Sequence, residues 1–171
     1  KRILDGMKKT MMAVKPPRYT ALEGLHQAET ANPFKILIGT VLSARTKDEN
    51  TTKAVTQLFK VYNTPQKLAK ARVRDIEKII KSVGFYHVKA RRIIEVAHII
   101  LTKYHGKVPP DIDLLVEIPG VGRKTATCVL VYAFEMPAIP VDTLVHRISN
   151  RLGLVDTKTP EDTDMELRKK I

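Results

Sequence analysis

Two side chains eighteen residues apart, Lys124 and Asp142, are the pair best suited to chemistry. Lys124 lies in the run Pro119-Gly-Val-Gly-Arg-Lys-Thr125, just past a tight turn and at the expected start of a helix. There the positive end of the helix dipole and the neighbouring Arg123 disfavour its protonated form, the direction an amine nucleophile needs. Asp142, within Pro140-Val-Asp-Thr143, stands at the expected cap of the next helix. A helix from Lys124 to Phe134 climbs about 15 Å. Eight loop steps from Phe134 to Asp142 span up to roughly 27 Å. The chain can therefore double back, with Pro137 and Pro140 stiffening the return, and set a carboxylate beside the amine. Taken singly, Lys124 also reads as a phosphate contact and Asp142 as a plain N-cap worth about 1 kcal/mol.

The turn before Lys124 is itself an anion grip. The amides of Gly120, Gly122 and Arg123 lie at or before a helix N-terminus, where unpaired donors and the dipole favour a phosphate. Glycines there let the backbone approach a ligand closely. A lone Gly-x-Gly is usually an ordinary turn between packed helices. The Pro-Gly-Val-Gly-Arg-Lys order and the basic neighbourhood favour binding to a nucleic-acid backbone.

The elements that must position these residues read as helices. Asn32 and Pro33 give a cap and a first-turn proline for a stripe of Phe34, Leu37, Ile38, Val41 and Leu42. A second helix starts at Asp48 and buries Val55, Leu58 and Phe59; Thr64-Pro65 opens a short one through Ala69. Helices follow at 73–81, ended by Gly84, and from His87 to Tyr104, closed by Gly106. Shorter ones are expected at 112–118, 123–134 and 143–152, and Thr159-Pro160 opens a last helix reaching Ile171. No segment alternates convincingly with a strand period, so the fold class is all-α.

Composition narrows the function. The chain has 171 residues and a net charge of +12, and residues 33–110 alone carry 16 basic and 5 acidic side chains. Such a field favours a polyanion, although a Lys-rich solvated surface would give the same count. The longest apolar runs, Ile36–Ile38 and Cys128–Val131, fall far short of the roughly 18 residues of a membrane span. One cysteine, Cys128, excludes an internal disulfide framework and any multi-thiolate zinc or iron–sulfur site. With no signal-peptide apolar core at Lys1-Arg-Ile-Leu-Asp5, the expectation is a soluble intracellular protein, cytoplasmic and nucleoid-associated. The absence of an initiator Met suggests a fragment.

Four segments, Leu42–Asp48, Gly84–Ala90, Ile118–Ala126 and Val141–Thr143, together resemble the endonuclease III-like members of the helix-hairpin-helix base-excision DNA glycosylase superfamily. The match covers residues 30–155. It implies a two-lobed all-α fold with damaged double-stranded DNA in the cleft between lobes. Residues 1–31 and 153–171 would form parts of a terminal lobe, truncated at its C-terminal end. Residues 32–152 would form the helical lobe carrying the hairpin at about 112–134. It also implies that Lys124 attacks the sugar C1′, that Asp142 activates it, and that a Schiff base then permits β-elimination. Members that use water carry no lysine at this place. Arg45 occupies the position of a residue that fills the gap left by a flipped base, where a glutamine is common. Phe85 resembles the apolar wedge from the other side, with a helix-end core residue as the equal alternative. Lys89 and Arg91 would lie near the DNA backbone with Gly120, Gly122 and Arg123.

The resemblance implies a monomer, and hairpin carbonyls that hold a monovalent cation. Similar enzymes carry a [4Fe–4S] cluster in a four-cysteine segment beyond the position of Ile171. Such a cluster is expected only if the gene continues, and this chain ligates no metal. Without that segment Met165, Leu167 and Ile171 should lack some of their packing partners. Three activities fit: a glycosylase and abasic-site lyase for oxidised pyrimidines, a non-catalytic DNA-binding module, and a glycosylase for thymine or uracil opposite guanine.

Overall fold

The structure, a computed structural model, describes residues 32–170. The expected lobe portion at 1–31 and Ile171 lie outside the described residues. These fold as α1 (Pro33–Ser43), α2 (Asp48–Val61), α3 (Pro65–Ala69), α4 (Val73–Ile79), α5 (Tyr86–Thr102), α6 (Ile112–Val116), α7 (Arg123–Phe134), α8 (Thr143–Arg151) and α9 (Pro160–Arg168). No strand occurs among them.

The capping signals act as their residue types dictate. Asn32 Oδ1 accepts from the Lys35 amide at 3.2 Å, and Thr64 and Thr159 hydroxyls do the same for α3 and α9 at 3.3 and 3.1 Å. Each of the three is followed by proline at the first helical position, where its missing N–H costs nothing. Several helices end earlier than their apolar stripes suggest: α4 at Ile79, α5 at Thr102 and α9 at Arg168. The end of α5 is fixed by Gly106, whose φ of 82° lets its N–H reach back to the Ile100 carbonyl at 2.8 Å.

Helix α1 is the hub. Its residues 36–42 are all buried, more than the single stripe expected, and it packs on α2, α5 and α7. A helix apolar on nearly every side belongs in an interior. Thr40 is tolerated there because its hydroxyl donates to the Ile36 carbonyl at 2.8 Å. Ile76, Ile80, Ile93 and Ile100 extend this core under α4 and α5, and Leu115, Ile118 and Val121 seat the hairpin on it.

A second, smaller cluster joins Val141, Val155 and Leu167, with Val145 against it. Helices α8 and α9 pack together there. Val141 and Val145 thus pack with residues on the far side of position 152. Leu167 is 8% exposed, whereas Met165 is 48% exposed.

Candidate active site

The hairpin is built from α6 outward. Asp111 caps α6, its Oδ1 accepting from the amides of Asp113 and Leu114 at 2.8 and 3.0 Å. The chain then turns with the Val121 amide donating to the Ile118 carbonyl at 2.9 Å. Gly120 adopts φ 79°, a conformation that side chains rarely take, and it lies under Arg92 of α5. Gly122 begins α7 with ordinary angles, and an added Cβ there would meet open space. No side chain caps α7, so the first-turn amides stay available to an anion.

Lys124 is exposed and makes no hydrogen bond or ion pair among the described residues. It shares a cleft of about 200 Å³ with Gly122, Val141, Pro160, Glu161 and Asp164. Asp142 caps α8, its Oδ1 accepting from the amides of Leu144 and Val145 at 2.9 and 3.0 Å. The second carboxylate oxygen is left out of that cap. Cys128, one turn along α7 from Lys124, ties the two positions together. Burial pushes its thiol upward from the usual range, the Lys124 charge pulls it down, and the Asp142 charge pushes it up. Both charges therefore act on one sulfur, and Val141, the neighbour of Asp142, lines the same cleft as Lys124. They form no direct ion pair, and the carboxylate is held by its own helix.

Arg123 points elsewhere. Its Nε donates to Asp164 Oδ2 at 3.0 Å, and Asp164, 5% exposed, also accepts from Arg168 at 3.0 Å. Arg168 reaches the Thr127 hydroxyl at 3.1 Å. Arg123 thus also anchors the hairpin to α9, while its side chain stays partly exposed. Sequence reasoning missed Asp164 and Arg168, although their i,i+4 spacing was a signal for a pair.

The other expected contacts converge on a second place. Arg45, in the α1–α2 loop, and Phe85, at the N-terminus of α5, are both exposed, with φ of 52° and 58°. Left-handed conformation in such residues costs about 1–2 kcal/mol each. Phe85 is 63% exposed, which removes the core-residue alternative. Gly84 joins the two loops: its amide donates to the Thr46 hydroxyl at 3.1 Å, and a Cβ on it would stand 2.8 Å from the Arg45 carbonyl. Arg91 is exposed on α5.

Lys89 is not a surface contact. It is 8% exposed, and its ammonium donates to the Leu42 carbonyl at 2.8 Å, the Thr46 hydroxyl at 3.0 Å and the Ala44 carbonyl. Burial lowers its pKa to about 8. The signal for this was present: Lys89, Ile93, Val96 and Ile100 fall at i, i+4, i+7 and i+11, the inward stripe of α5.

The residues do not suit an iron–sulfur cluster. Cys128 is the only thiol, 3% exposed inside α7, and the described residues hold no group of three or more His, Cys, Asp or Glu able to bind a metal. Among the described residues no helix is long and apolar enough to cross a membrane.

Comparison with known proteins gives these arrangements a context. Residues 38–171 match the family described as HhH-GPD superfamily base excision DNA repair protein. The chain is 56% identical to an endonuclease III from Thermotoga maritima over 138 residues, covering 81% of this chain and 65% of that protein. It is 40% identical to the Escherichia coli endonuclease III over 139 residues, 81% of this chain and 66% of that one. The chain thus spans slightly less than two thirds of these relatives. A solved structure of a trapped endonuclease III–DNA covalent intermediate is similar at TM-score 0.76 and 42% identity, covering 82% of this chain and 66% of that one. A non-covalent endonuclease III–DNA complex is similar at TM-score 0.81 and 36% identity, covering 99% and 77%.

Proposed function

Because the chain belongs to the HhH-GPD superfamily of base excision DNA repair proteins, we propose that it is a DNA glycosylase with abasic-site lyase activity, acting on oxidised pyrimidines in duplex DNA. The observation that carries this reading is Lys124: exposed, without an ion pair among the described residues, on the first turn of α7, in a cleft also lined by Val141, the neighbour of Asp142. The trapped covalent DNA intermediate of a 42% identical relative is consistent with it.

In the proposed reaction, the first-turn amides of α7 hold a phosphate next to the extruded nucleotide. The neutral Lys124 amine attacks C1′ and the bond to the base breaks, the base leaving with the bonding pair. The uncapped oxygen of Asp142 takes the ammonium proton and offsets positive charge on the sugar. Ring opening gives an imine between Nζ and C1′, loss of a C2′ proton expels the 3′ phosphate, and water releases the lysine. Arg45 and Phe85 enter the stack where the base has left. The +11 surplus of residues 33–110 meets the phosphates, so affinity should fall steeply with salt.

The test is borohydride reduction of the protein on an abasic-site duplex. A covalent adduct that disappears in Lys124→Ala supports the enzyme; binding with no adduct leaves only a DNA-binding module. A second reading rests on the similarity to a thermostable thymine-DNA glycosylase, TM-score 0.75 at 26% identity. Turnover of a thymine-glycol duplex against a G·T duplex separates the two substrate classes.

A further inference from the structure

Two strained residues on different loops stand together, and one buried lysine ties those loops. Arg45 and Phe85 are left-handed non-glycine residues forty positions apart. Such conformations persist only where the surroundings over-determine them. The surroundings here are few and specific. The Lys89 ammonium takes the Leu42 and Ala44 carbonyls, which the end of α1 leaves unpaired, and the Thr46 hydroxyl just past Arg45. The same hydroxyl accepts the Gly84 amide, and Gly84 has no room for a side chain against the Arg45 carbonyl. Lys89 therefore grips the residues on both sides of Arg45 while standing one helical turn from Phe85.

We propose that Lys89 is a positioning residue that locks Arg45 and Phe85 into one rigid two-pronged element for entering the DNA stack. This rests on the reading that these loops meet the DNA, but it does not require catalysis by Lys124. An ammonium has three hydrogens and meets three acceptors, so the side chain has no donor left for a phosphate. Without it, the α1 carbonyls would turn to water and the strained angles would relax. The prongs would then have to be ordered at the moment of insertion.

The experiment places 2-aminopurine opposite a tetrahydrofuran abasic analogue in a duplex and follows its fluorescence as protein binds. The intact protein should unstack the probe base and raise its emission. Lys89→Met should cut the rise about tenfold, and Thr46→Val, a milder loss of the same hub, should cut it severalfold. Both variants should keep borohydride trapping on a single-stranded abasic oligonucleotide, which has no stack to enter, within about twofold. In an Arg45→Ala/Phe85→Ala background, Lys89→Met should have no further effect on the fluorescence. Should Lys89→Met fail to fold, Thr46→Val carries the same comparison. An unchanged rise in Thr46→Val, a multiplied loss in the double-variant background, or an intact protein that gives no rise overturns the proposal. A missing covalent adduct alongside a normal rise overturns the enzymatic reading alone.

Discussion

The hairpin at the start of α7 and the paired loops before α2 and α5 are each served by a lysine from the first turns of the helix that follows, used in opposite ways. Lys124 stands in open solvent with no partner among the described residues, on a helix turn that repels cations. Lys89 is inside, with every hydrogen committed to an oxygen of another segment. A nucleophile must be free to approach carbon, whereas a brace must not move. The difference lies in environment rather than in residue type.

The largest expected effect separates these roles. Lys124→Ala should remove the borohydride adduct altogether while leaving DNA affinity within about threefold, since one of several phosphate contacts is lost. Asp142→Asn should slow adduct formation by about 100-fold. The amide oxygen of Asn can still cap α8, so the melting temperature should hardly move. A collapse of stability in that variant would show that Asp142 matters as a cap alone.

Lys89 should reveal itself through pH. Its folded value of about 8 lies below its ordinary 10.5, so between those values the unfolded chain binds the proton that the folded chain has released. Stability contributed by this group therefore rises with pH across that window and is lost as pH falls through 8. Urea unfolding of the intact protein should show this slope relative to Lys89→Met; parallel profiles would contradict the burial of the ammonium. Asp164→Asn leaves Arg123 and Arg168 facing each other, and should cost about 1–3 kcal/mol in the same assay. The smallest effect belongs to Gly122→Ser. Its side chain has open space and can cap α7, adding a few tenths of a kcal/mol of stability. It would also compete with phosphate for the first-turn amides, weakening DNA binding modestly.

The contrast also explains what the sequence made legible. The hairpin is local: proline, two glycines and two cations within a few residues specify a turn, an uncapped helix start and a charge, and the structure has all three. Chain length only permits the return of residues 141–145 toward α7; packing of Val141 with Val155 and Leu167 fixes where they lie. The loop pair is tertiary. Nothing near Lys89 in the chain announces that α1 ends above it, more than forty residues earlier. The pair of Arg123 with Asp164 is tertiary in the same way, since Asp164 lies on a helix far along the chain. For Lys89, its place on the inward stripe of α5 outweighed its charge once backbone carbonyls were there to receive it.

The account rests most heavily on which amine forms the bond to the sugar. The protein should be reduced with borohydride on an abasic-site duplex, digested with nuclease and protease, and the sugar-modified peptide located by mass. The account predicts a single modification, on the peptide carrying Lys124. Modification at another lysine or at the amino terminus, with Lys124 unmodified, would contradict it.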